Sequence, residues 1–140
     1  MAKDLSALVR LNDWEVDQKR RALADELEKL DALEQCLKNL IQEMEHERDA
    51  AAAMPTEGGI TYAAYASSAM DRRDKLKDAI AEQEGEVAKA RENLREAFLE
   101  FKKYEITEDR RILKMEQDLA KADQADLDEI GLTIYSRKGK

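Results

Sequence analysis

The chain has 140 residues, with 40% charged side chains, 5% aromatics, five Gly and one Pro, and a net charge of −8. This balance of charged, Leu and Ala residues suits long helices and excludes a globule packed around aromatic and β-branched residues. The acidity excludes a dedicated nucleic-acid binder, which needs cations to displace counterions from phosphate, and docking on an anionic lipid surface.

From about residue 4 to 51 the pattern predicts a first helix. Val9, Val16, Leu23, Leu30, Leu37 and Met44 recur at a seven-residue step, the period of a left-handed coiled coil. Leu27 and Ile41 fall at the alternate core position, while Leu33 and Leu40 widen the stripe. Asp13, Arg20, Glu34 and Arg48 interrupt that alternate row. Lys19-Arg20-Arg21, Arg72-Arg73, Lys102-Lys103 and Arg110-Arg111 all have acids nearby, the pattern of a solvated helix face.

A loop is expected over about 52–60. Pro55 lacks a backbone donor and the Gly58-Gly59 pair admits positive φ, so both read as breakers. Thr61 is suited to cap the next helix.

A second, longer helix is expected over about 61–130. One row is Ile80, Val87, Leu94, Phe101, Glu108 and Met115; the other is Tyr62, Ala69, Leu76, Gln83, Ala90, Ala97 and Tyr104. Gly85 reads as a soft point and Gly131 as a C-terminal stop. The tail 131–140 is expected to fray.

Folding the second helix back on the first pairs Leu23 with Ala90, Leu27 with Val87, Leu37 with Leu76, Val16 with Ala97 and Val9 with Tyr104. Their position numbers add to roughly 113 or 114, as a single antiparallel register requires. The fold class is therefore all-α: one domain over 1–140, a long antiparallel two-helix coiled-coil hairpin with the second helix longer than the first. Asp4 then falls near Asp109. The second helix overhangs from about 108 to 130, roughly 30 Å, with Ile112, Met115 and Leu119 on an unpartnered face, the mark of a partner site. Trp14, Phe98, Phe101 and Tyr104 are expected to pack together at the base.

Little in the chain points to catalysis. His46 lies outside the seam between Glu45 and Glu47, and Cys36 is ten residues away on the same helix, about 15 Å along its axis. They form neither a nucleophile pair nor a metal site. Gly58-Gly59 lacks the Lys-Ser/Thr of a phosphate loop, and two helices enclose no deep pocket. No enzyme activity, cofactor or metal is expected. The single cysteine suits a reducing compartment. Neither an apolar leader nor an apolar stretch of about 20 residues occurs, so a cytoplasmic location is expected.

Several segments carry a resemblance: Leu5-Ser-Ala-Leu8-Val-Arg-Leu11, Trp14-Glu-Val-Asp-Gln-Lys-Arg-Arg21, Gly58-Gly-Ile-Thr-Tyr-Ala-Ala-Tyr65, Arg72-Arg-Asp-Lys-Leu76, Glu96-Ala-Phe98-Leu-Glu-Phe-Lys-Lys-Tyr-Glu105 and Gln124-Ala-Asp-Leu127-Asp-Glu-Ile-Gly131. Together they resemble the flagellar export protein FliJ family, in its alphaproteobacterial form, over nearly the whole chain. The resemblance implies a coiled coil similar to the central stalk of a rotary ATPase. It implies a role in flagellar type III secretion and motility, beside the membrane-embedded export apparatus and touching the membrane only through partners. The implied partners are the flagellar export ATPase, the export-gate protein FlhA and export chaperones. By position, the ATPase end falls on Val9, Trp14, Phe101, Tyr104, Ile112, Met115 and Leu119, and the gate contact on Leu76, Ala79 and Gln83. A free monomer is expected. A self-associating coiled-coil adaptor and a chaperone for exported subunits are the other readings that the heptads allow.

Overall fold

The computed structural model describes residues 4–54 and 57–139, with Glu57 as backbone only. These residues form two helices, α1 (Ser6–Ala52) and α2 (Glu57–Lys138). Pro55, read as a helix breaker, and Lys140 lie outside the described residues.

Two compact units result, Val16–Glu96 and Met1–Glu15 with Ala97–Lys140. In Val16–Glu96 the two helices pack antiparallel. Val16, Leu40, Ala69, Val87 and Ala90 are buried, and Leu23, Leu30, Leu33, Leu37, Met44, Leu76, Ile80 and Leu94 are half-buried. The seven-step row of α1 and both rows of α2 are thus the covered ones.

The alternate row of α1 differs from the expectation by one position. Leu27 and Ile41 are exposed at 38% and 42%, whereas Leu40 is 6% exposed. The covered row here runs through Lys19, Glu26, Leu33 and Leu40. Its polar members are tolerated because they are satisfied or keep their heads in water. Gln83 Nε2 donates to the Glu26 main-chain carbonyl at 3.0 Å and to its carboxylate. That amide first, and Lys29 after it, hold the Glu26 carboxyl below its usual range.

At the turn, Met54 N–H donates to Ala51 O at 3.1 Å and Gly58 N–H to Met54 O at 2.9 Å. Gly58 and Gly59 do not break the helix; both belong to the first turn of α2, and no glycine has positive φ. What Gly58 supplies is close approach. A Cβ there would lie 2.8 Å from Ala51 O and 3.1 Å from its Cα, whereas one at Gly59 would meet nothing within 4 Å. Thr61 lies inside α2 rather than at its cap.

In the other unit, Val9, Phe101 and Tyr104 are half-buried, and Asn12 takes the alternate position on α1. Trp14 is 55% exposed, not packed in a basal aromatic core, because it falls outside the covered rows. Lys102 Nζ sits 5.6 and 5.7 Å from the Phe98 and Phe101 ring centroids, and Lys103 Nζ 5.8 Å from Tyr104. The aromatics carry cations on their faces.

α2 continues past Gly131 to Lys138, so residues 131–138 are helix rather than frayed tail. An interior glycine costs a helix only about 1 kcal/mol. Arg137 and Lys138 in the last turn complement the dipole. Gly139 N–H closes that turn on Tyr135 O at 3.0 Å.

Candidate functional site

The site lies in the unit Met1–Glu15 with Ala97–Lys140, where α1 begins and α2 runs on. The first donors of any α-helix have no partner within the helix. Here they are met from two sides. Asp4 Oδ1 accepts from Ser6 N–H at 2.8 Å, a helix cap. Glu108 Oε2, from α2, accepts from Leu5 N–H at 2.9 Å. This is the register expected for Asp4 beside Asp109.

Glu108 is a carboxylate in a core position, 6% exposed. Arg111 compensates it with a forked pair of hydrogen bonds, Nε to Oε2 at 2.9 Å and Nη2 to Oε1 at 2.6 Å. The same guanidinium lies 3.8 Å from Asp4 Oδ1. Arg111 first, and Leu5 N–H next, hold the Glu108 carboxyl below its ordinary 4.5. The Ser6 N–H does most to hold Asp4 below 3.8. Glu108 in turn raises Arg111. The clasp ends the paired stretch of this unit.

Past it, every residue from 112 to 139 is exposed. The helical segment 112–138 is about 40 Å long at 1.5 Å per residue. Ile112, Met115 and Leu119 lie at helical spacing on one face, 41%, 57% and 64% exposed. Leu127, Ile130 and Ile134 continue the apolar content of the arm. A helix stripe without a covering partner presents i, i+3, i+7 anchors of the kind a groove takes up.

The whole chain, residues 1–140, matches the family model described as Flagellar FliJ protein. The chain belongs to the FliJ family. No curated protein and no solved structure matches it. FliJ membership makes it a component of the flagellar export apparatus, from a family not known as enzymes. Among the described residues, no helix is long and apolar enough to cross a membrane, and no group of three or more His, Cys, Asp or Glu side chains is placed to hold a metal ion.

The residues assigned by resemblance to the FliJ partners fall into distinct environments. Ile112, Met115, Leu119 and Trp14 are exposed, while Val9, Phe101 and Tyr104 are half-buried in the helix pair. Leu76, Ala79 and Gln83 are half-buried in the unit Val16–Glu96, and Gln83 is engaged with Glu26. The sequence placed Glu108 in the seven-step row of the second helix without revealing the clasp of Asp4, Glu108 and Arg111. The available signal was an acid in a core row, an arginine three residues on, and the start of α1 at the matching register.

Proposed function

We propose that this FliJ-family chain is a non-enzymatic, cytoplasmic stalk that docks on the flagellar export ATPase ring through the arm beyond the Glu108–Arg111 clasp. The observation that carries this reading is the arm itself: a helical segment that no other described residue covers, its apolar face open at Ile112, Met115 and Leu119. Family membership supplies the partner class. Val9, Phe101 and Tyr104, half-buried in the same unit, and the exposed Trp14 complete the ATPase end under this reading. The gate protein FlhA and export chaperones are further partners under this reading, with Leu76, Ala79 and Gln83 as the gate contact. A stalk seated in a ring favours the assembled ring and those of its states that fit it best, by differential binding.

The test is light-scattering mass during gel filtration, alone and with the cognate export ATPase. The expected result is a monomer alone that moves into the ATPase complex. Changing Ile112, Met115 and Leu119 together to Ser should abolish that shift. Because all three are exposed, it should alter chain stability by under about 0.5 kcal/mol per site. A wild-type chain that ignores the ATPase, or a triple variant that still binds it, overturns the reading.

A further inference from the structure

α2 carries a further seven-step row that its pairing with α1 does not use. Leu99, Ile106, Leu113, Ala120, Leu127 and Ile134 follow one another at seven residues, all within the unit Met1–Glu15 with Ala97–Lys140. In the paired stretch the covered side of α2 runs through Ala97, Phe101, Tyr104, Glu108 and Arg111. Leu99 lies two residues from both Ala97 and Phe101, and Ile106 two from both Tyr104 and Glu108. Two residues are about 200° of helix, so here the row runs down the side turned away from α1. All six members are exposed, the five large ones at 47% to 62%. A solvated helix puts polar residues on that side; this one puts Leu and Ile there. Nor is it the face of the proposed ATPase contact, since Leu113 follows Ile112 by one residue, about 100° round the helix.

The period of the row says what shape covers it. On a straight α-helix a strict seven-residue row drifts about 20° per heptad, or roughly 100° over five steps. Only an element that winds with the row can cover it from end to end, and an α-helix in a left-handed coiled coil does so. The charges beside the row narrow the choice further. Three and four residues after each member come Lys102 and Lys103, then Asp109 and Arg110, which offset each other, then the acids Glu116 and Asp123, and last Arg137 and Lys138. The flanks are therefore basic at both ends and acidic in the middle. A second copy laid along the same row, either way round, sets acidic middle against acidic middle, and like charges across such a seam repel.

We infer that this row is a second docking seam, which takes an α-helix of a different protein. That helix has its own seven-step row of Leu, Ile or Val, with acidic flanks at its ends and basic flanks at its middle. The acids meet Lys102, Lys103, Arg137 and Lys138, and the bases meet Glu116 and Asp123. The row steers the partner's shape and the flanks select its charge, as in other coiled coils. The seam goes beyond the ATPase reading and does not depend on it.

The experiment uses the full chain and a fluorescein-labelled synthetic peptide of about five heptads, with Leu at its core positions, Glu flanking both ends and Lys flanking the middle. The comparison peptide exchanges Glu and Lys throughout. Fluorescence anisotropy should show saturable binding of the first peptide and at least about tenfold weaker binding of the second, a difference of about 1.4 kcal/mol. Changing Ile106, Leu113 and Leu127 together to Ser should abolish binding, whereas changing Ile112, Met115 and Leu119 to Ser should leave it intact. Far-UV circular dichroism checks the fold of both variants, and the peptide comparison on the unaltered chain needs neither. No saturable binding, or equal binding of the two peptides, overturns the inference. So does binding that survives in the folded Ile106, Leu113 and Leu127 variant. A chain that is dimeric by light scattering and becomes monomeric in that variant makes a second copy the occupant and overturns it as well. Because the Ile112, Met115 and Leu119 variant tests the ATPase contact on its own, failure of either reading is separable from failure of the other.

Discussion

Substituting Gly58 by alanine tests whether the turn depends on close approach rather than on a special backbone angle. Both Gly58 and Gly59 are helical, neither has positive φ, and they are neighbours in the first turn of α2. On helix propensity alone, Ala at either position should stabilise by up to about 1 kcal/mol. The surroundings divide them. At Gly58 the new methyl meets Ala51 O at 2.8 Å, Ala51 Cα at 3.1 Å and the Met54 Cβ at 3.2 Å. Two of these are main-chain atoms at the end of α1 and cannot rotate aside, so the first turn of α2 has to recede. Overpacking of this kind costs about 1–3 kcal/mol, leaving a net loss of up to about 2 kcal/mol once the propensity gain is subtracted. At Gly59 nothing lies within 4 Å, and the propensity gain survives. Thermal unfolding followed by far-UV circular dichroism should separate the two variants by about 2 kcal/mol, or roughly 5–10 °C for a chain of this size. A Gly58→Ala chain as stable as Gly59→Ala would refute the reasoning, since the geometric distinction would then carry no energy.

Leu40→Ala should cost about 2–3 kcal/mol because it removes a buried side chain, while Ile41→Ala, next to it but exposed, should cost under about 1 kcal/mol; urea unfolding midpoints of the two decide it. Glu108→Gln should speed hydrogen exchange at the Leu5 and Ser6 amides relative to mid-helix amides, and unchanged exchange would show that the clasp does not hold the start of α1. The Glu108 and Asp4 carboxyls are both held below their ordinary values, so the folded state binds protons less readily than the unfolded one. The stability they add is therefore present above the ordinary carboxyl values, 4.5 and 3.8, and is lost as pH falls through the lower folded values. Melting temperatures taken downward from about pH 5 should fall in the unaltered chain and less steeply in Glu108→Gln; parallel curves would count against it.

The row from Val9 to Met44 and both rows of α2 were legible in the sequence because each repeats at seven residues with mostly apolar members. The alternate row of α1 was not. Leu27 and Ile41 in one row match Leu33 and Leu40 in the other, the remaining members of both being polar, so hydrophobicity alone does not choose between them. The fold prefers the row whose polar members find partners, and Gln83 bonding Glu26 appears only when two distant positions are brought together. The glycines were ambiguous for a related reason. Gly131 and the Gly58-Gly59 pair are breakers by composition, yet only their neighbours in space decide what each one does. The arm was visible as a stripe left over once the two helices were put in register. The clasp was not, since an acid among heptads looks like an error until an arginine and a helix start arrive beside it.

The exposed arm has a consequence for turnover. A helix without tertiary cover is held mainly by its own marginal propensity, and its opening free energy lies near the low end for the molecule. Proteolysis follows the population of the open form. Limited trypsin digestion should therefore cut at Lys114 and Lys121 before Lys38 or Lys89. A protein docked on the arm would suppress those early cuts. Copies that find such a partner then outlive those that do not, and the amount of this chain in a cell follows the amount of its partner.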